Sequence, residues 1–107
     1  RLFDAGAGRL LGAHTVVVDG GNISAVEPGL ADVPGAQAID LRAHSCMPGW
    51  IDLHTHLTLR ADARAQELLF RMNPGDFALF GASNARTTLL AGFTTVRNLG
   101  DTDNTSI

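Results

Sequence analysis

At Pro48-Gly49 the sequence changes its periodicity, and that change limits the folds open to it. Before this point, β-branched runs are divided by glycine- and proline-containing turns. After it come a strand pattern, a helical pattern and a second strand pattern. Strand, helix, strand is a βαβ unit. It implies a parallel pair with a right-handed crossover, because parallel neighbours cannot be joined by a tight turn. The chain therefore divides into residues 1–47 and 48–107, and its second part is α/β.

Residues 1–47 read as β structure. His14–Asp19, "HTVVVD", is a β-branched run, and Asn22–Val26, "NISAV", is a second short strand. Between them stands Gly20-Gly21. Glycine pairs supply the positive φ angles of two-residue hairpin turns, so a hairpin is predicted here. Pro28-Gly29 and Pro34-Gly35 punctuate a loop. Ala38–Leu41 and Ser45–Met47 are candidate strands, and Leu2-Phe3 is expected to be the tail of another whose start is missing.

In the second part, Trp50–His56 is expected as a strand, with Trp50 packing at its start. Ala61–Met72 is predicted to be helical, because Ala65, Leu68, Leu69 and Met72 recur at helical spacing. Asn73-Pro74-Gly75 reads as a turn and Asp76 as the N-cap of a helix over Phe77–Ala91. On that helix Ala78, Ala82, Ala85 and Leu89 would share one face. Gly92 suits the left-handed position just past a helix end, and Thr94–Leu99 forms the next strand. Phe77, Phe80 and Phe93 are expected in the core.

The first of these strands carries the chemistry. Strand side chains alternate faces, so Asp52, His54 and His56 would point one way and Ile51, Leu53 and Thr55 the other. The apolar set can bury against helices. The polar set faces whatever the sheet encloses. Imidazoles two residues apart can converge on one divalent ion, with ring nitrogens about 2.0–2.1 Å from it. Asp52, one step back along the strand, would orient a ligand or satisfy a buried polar layer. A bare His-x-His is a weak signal, and alone it is more often an accident of surface or core. Here it gains weight from the Pro-Gly before it, the apolar strand, Asp52, and its place at the C-terminal end of a βαβ strand.

Composition excludes other classes. The charge is −3, from 8 basic and 11 acidic residues, which argues against a nucleic-acid partner. No apolar run approaches the roughly 18 residues of a membrane span, and no signal peptide is expected, since no basic stretch followed by an apolar one is read in the first residues. A lone cysteine, Cys46, permits no internal disulfide and fits a cytoplasmic setting. It reads as a small hydrophobe rather than a nucleophile. All eight basic residues are arginine, so any lysine a mechanism needs must come from outside this sequence.

"PGWIDLHTHL" resembles the P-G-x-I-D-x-H-x-H signature of the amidohydrolase superfamily. "VVVDGGNISAVEPG" resembles the hairpin of the small β-sandwich that flanks the barrel in many members. "NARTTLLAGFTTVRNLGD" resembles the second helix-strand unit of the branch with imidazolonepropionase-like and Xaa-Pro dipeptidase-like (prolidase-type) enzymes. The resemblance implies a (β/α)8 TIM barrel, of which residues 48–107 would be the first two β/α units, preceded by part of a β-sandwich in residues 1–47. It implies one or two divalent metals, usually zinc, with His54 and His56 as ligands of the more buried ion. The other ligands in the family are a carboxylated lysine, two histidines and a late aspartate that also acts as general acid/base. None of these is in this chain. Asn98 departs from the aspartate that often follows the arginine of this strand, and "AHSC" lacks the glycine common before the motif.

The expected parent is thus a hydrolase that cleaves an amide C–N bond with metal-activated water. Its substrate would be a small molecule: a dipeptide, an N-acyl amino acid or a cyclic amide. The full-length protein could form a homo-oligomer. A complete barrel takes roughly 250 residues, so these 107 read as an N-terminal piece, inactive alone. The competing readings are a small non-catalytic protein that binds a metal or a partner, and one chain of a split barrel. Arg97 and Asp101 would reach the site mouth or serve as a salt bridge or solvated loop. His14 and His44 read as structural or surface residues.

Overall fold

The computed structural model describes residues 1–59, 63–101 and 105, and the side chains of all of these but Leu68. The chain forms two compact units, Arg1–Pro48 and Gly49–Ile107.

The first unit is built from two antiparallel hairpins. β1 (Phe3–Asp4) pairs with β2 (Arg9–Leu10). Asp4 Oδ1 accepts the Ala7 N–H at 3.0 Å, and Gly8 takes a φ of 62°, so the turn closes locally. Of the expected Leu2-Phe3 strand, Phe3 lies in β1 and Leu2 forms a single bridge, while β2 leaves no pattern in the sequence, since two-residue strands are too short to show alternation. β3 (His14–Asp19) pairs with β4 (Asn22–Pro28) around the expected turn, where Gly20 and Gly21 have φ of 55° and 82°. Val17 faces Ala25 and Val18 faces Ile23, so Ser24 is bulged out of the ladder. β4 runs two residues further than expected, because Thr15 Oγ1 ties down the backbone just past its end. It donates to Gly29 O at 3.0 Å and accepts from Ala31 N at 2.8 Å.

Two expected strands do not form. Ala38–Leu41 pairs with no strand and stays irregular, its Leu41 carbonyl accepting the nearby His44 N–H at 2.8 Å. Of Ser45–Met47, only Cys46 pairs, as a single parallel bridge to Leu2. The irregular segment is organised instead by Arg42, which grips Asp40 through both carboxylate oxygens at 2.6–2.9 Å. Those bonds hold the Asp40 carboxyl at about pKa 2, against an ordinary value of 3.8. Because the folded value is lowered, any stability the pair gives is present above the ordinary pKa and lost as the pH falls toward 2. The pair is solvent-exposed, so its stabilisation is small. Titration of the Asp40 side-chain carboxyl by carbon NMR is expected to show a midpoint near 2. Arg42→Ala is expected to return it to the ordinary carboxylate range.

The second unit is a strand–helix–strand. β5 (Trp50–Thr55) and β6 (Phe93–Asn98) are parallel neighbours, as the βαβ pattern requires. Between them run α1 (Ala65–Leu69) and α2 (Pro74–Leu90). α1 is shorter than the predicted Ala61–Met72, and residues 61–62 of that prediction lie outside the described residues. The chain must leave helix before Pro74, because the residue ahead of a proline is pushed to extended backbone. Asn73 obeys this, with φ −93° and ψ 169°.

Asn73, not Asp76, is the N-cap of α2. Its side chain accepts the Asp76 N–H at 3.1 Å, and Asp76 Oδ2 accepts the Asn73 N–H at 3.0 Å. This is a reciprocal capping box, with Pro74 preset for the first helical position. The predicted face is also off by one residue. Ala78, Ala82, Ala85 and Leu89 are exposed, whereas Phe77 and Gly81 are buried and Asn84 and Thr88 half-buried. Phe77 supplies the bulk. Gly81 sets the approach, since a Cβ there would stand 3.0 Å from Thr58 Cγ2. Gly92 closes the helix with φ 100°, as expected.

α2 packs on β6 and, among the described residues, on no other strand. Ile51 and Leu53 on β5 are therefore 60% and 66% exposed, contrary to the expected burial against helices. Trp50 leans on Phe93, with ring centroids 6.4 Å apart, but stays more than half exposed. Phe77 is core at 3% exposure, while Phe80 and Phe93 are half-buried. No helix among the described residues is long and apolar enough to cross a membrane.

Candidate metal centre

His54 lies on β5 and His56 just past its end. The rings are 5.4 Å apart between centroids and inclined at 66°. Two imidazoles sharing a tetrahedral ion at about 2.0–2.1 Å would have centroids about 5 Å apart, so the pair fits a common ion. Both side chains are exposed. Among the described residues, no group of three or more His, Cys, Asp and Glu side chains is placed to hold a metal. The two histidines thus stand as a pair, with no third such side chain placed beside them among the described residues.

The backbone beneath them is irregular. Asp52 faces Val96 and Thr55 faces Asn98, so Leu53 and His54 together stand opposite Arg97 alone. An extra residue in one strand re-aims the side chains near it. Asp52 Oδ1 accepts the His54 N–H at 3.0 Å, within this bulge. The carboxylate therefore serves the backbone of His54 in this structure.

Beyond the strand, three side chains pin the segment after His56. Asn98 Oδ1 accepts the Leu57 N–H at 3.1 Å, and Asn84 Nδ2 donates to Leu57 O at 2.7 Å. Both polar groups of one peptide residue are thereby held, from β6 and from α2. Thr58, 1% exposed, donates its hydroxyl to Asp101 Oδ1 at 3.0 Å. Thr105 Oγ1 donates to the same oxygen at 2.9 Å. Asp101 is thus a tie between loops. Arg97 is exposed on β6. His14 and His44 lie in the first unit; His14 Nδ1 sits 3.2 Å from Gly12 O, and His44 O accepts a hydrogen bond from the backbone nitrogen of Arg1 at 3.0 Å.

Thr58, Asn84 and this role of Asn98 lie outside the sequence-based expectations. Asn84 leaves a signal, because an asparagine inside a helix competes with its own backbone and is retained where it bonds elsewhere. Asn98 meets the Leu57 N–H with the acceptor half of its amide.

Residues 45–107 match the amidohydrolase family. The chain is 39% identical over 74 residues to an imidazolonepropionase of Klebsiella pneumoniae (strain 342), covering 69% of this chain and 18% of that protein. It is 48% identical over 42 residues to a dihydroorotase of Mycobacterium tuberculosis, covering 39% and 10%. It is 29% identical over 97 residues to a dihydroorotase of Elusimicrobium minutum, covering 91% and 19%. The chain spans less than a fifth of the length of these relatives. With the match running from just before the Pro-Gly through β5, α2 and β6, the chain belongs to the amidohydrolase family.

Proposed function

We propose that the complete protein is a metal-dependent hydrolase of amide C–N bonds, with His54 and His56 as two ligands of a divalent ion, zinc by the chemistry of the donors. The carrying observation is the spacing of the two rings, with centroids 5.4 Å apart, at the C-terminal end of a parallel strand. In this reading β5 and β6 are the first two strands of a (β/α)8 barrel, whose active sites gather at that end. The first unit would be part of the flanking β-sandwich, and the enzyme would be cytoplasmic.

The ion, when bound, would activate a water and polarise the scissile carbonyl. This chain's own part is to present two neutral imidazoles. Asp52 holds the His54 backbone, and the bulge at Leu53–His54 turns the strand where the donors leave it. The remaining ligands and the general base would come from later strands.

Imidazolone and dihydroorotate, the compounds in the relatives' names, are both cyclic amides. That favours a cyclic amide over a dipeptide or N-acyl amino acid. Hydrolysis of a panel holding all three classes, before and after chelation, tests the proposal. Metal removal is expected to lower turnover roughly 100-fold or more, with recovery on adding zinc. Turnover indifferent to chelation, or no C–N hydrolysis across the panel, would contradict it.

A further inference from the structure

We infer that Asn98, the last residue of β6, and Gly100, two residues past it, are positioning residues for His56. The inference rests on the reading of His56 as a metal ligand. Two independent observations carry it. Asn98 Oδ1 holds the N–H of Leu57, the residue joined directly to His56, at 3.1 Å. The His56 ring itself lies against Gly100: a Cβ there would meet Nδ1 at 3.0 Å and Cε1 at 3.1 Å.

The two contacts act on different degrees of freedom. The Asn98 bond sets the backbone from which the His56 side chain departs. It also ties that backbone to β6 rather than to its own strand, since His56 stands beyond the last residue of β5. The Leu99 N–H to Thr55 O bond, 2.9 Å, adds a second link one residue before His56. Gly100 then limits the ring, because the space its missing Cβ leaves is bounded by Nδ1 and Cε1 of the imidazole. Any side chain at 100 would displace the ring by a few tenths of an ångström. A ligand nitrogen must sit about 2.0–2.1 Å from its ion, so displacements of that size fall directly on the bond. Outer partners that orient a ligand are worth about 10–100-fold in metal affinity.

The test is cobalt(II) titration of the complete protein, monitored by the visible absorption of the bound ion, with each melting temperature measured in parallel. The variants are His56→Ala, Asn98→Leu, Asn98→Asp and Gly100→Ala. Leucine matches asparagine in size but accepts no hydrogen bond; aspartate keeps an acceptor oxygen. Asn98→Leu and Gly100→Ala are expected to bind cobalt about tenfold more weakly and to shift its absorption bands, measured well below their melting temperatures. Asn98→Asp is expected to stay within about threefold of the parent. A purely structural role would lower the melting temperature and leave the bands unmoved. Unaltered affinity and spectrum in Asn98→Leu and Gly100→Ala, with binding lost in His56→Ala, overturns the inference alone. Parental binding by His56→Ala overturns the ligand reading and the inference with it. If Asn98→Leu does not fold, Gly100→Ala carries the test, since it removes no hydrogen bond.

Discussion

Gly49→Ala is expected to destabilise the protein by about 2–3 kcal/mol, the upper part of the range for overpacking a filled site. A Cβ at Gly49 would lie 2.1 Å from Thr94 Oγ1, 2.3 Å from Cγ2 and 2.7 Å from Cβ. Each staggered rotamer of Thr94 keeps at least one of its two branch atoms in that space, and Cβ stays where it is, so the backbones of the two strands must part. They are joined at that level by the Trp50 N–H to Gly92 O bond, 2.8 Å. Against a total stability of about 5–15 kcal/mol, such a loss is large. Urea denaturation of the complete protein measures it. Gly12→Ala is the control, with no atom near its added methyl, and should fall within about 0.5 kcal/mol of the parent. In a Thr94→Gly background Gly49→Ala should cost far less, giving a coupling between the two sites. Equal midpoints for Gly49→Ala and Gly12→Ala would refute the steric account. The glycine that precedes the motif is thus explained by strand packing, with no appeal to the metal.

His54→Ala and His56→Ala should behave in the opposite way. Both side chains are exposed, so each truncation should leave stability within about 0.5 kcal/mol. Hydrolysis should nonetheless fall by more than the roughly 10–100-fold that loss of an outer partner of a metal ligand costs. Thermal melting beside steady-state kinetics separates the two effects. A variant that keeps its turnover, or loses it only in proportion to unfolding, would place the histidines outside the chemistry.

Local chemistry makes some of this structure legible. Gly20-Gly21 demands a hairpin, and Gly92 a helix end, because each position needs a positive φ that other residues resist. The parallel pairing of β5 and β6 comes from strand–helix–strand order. Where two rules compete, the sequence is ambiguous. Asn73-Pro74-Gly75 satisfies both a turn and a helix start, and the reciprocal bonds of Asp76 decide for the helix. Alanine spacing suggests one face of α2, but Phe77 and the room left by Gly81 set another, one residue round.

The candidate site is half legible. His54 and His56 can be read from their spacing. The Leu53–His54 bulge cannot, because strict alternation assumes a regular ladder and register depends on the neighbouring strand. The clamp on Leu57 joins residues 27 and 41 positions apart, and nothing in a linear pattern links them. Alternation assigns Asp52 to an imidazole or a polar layer; the fold gives its oxygen to the His54 N–H.

The central claim is that His54 and His56 hold a metal. Metal content per protomer, measured on the complete protein and on the His54→Ala, His56→Ala double variant after the same purification, tests it most directly. The double variant is predicted to lose at least one equivalent of bound divalent metal while remaining folded. Equal metal content in the two proteins would contradict the claim.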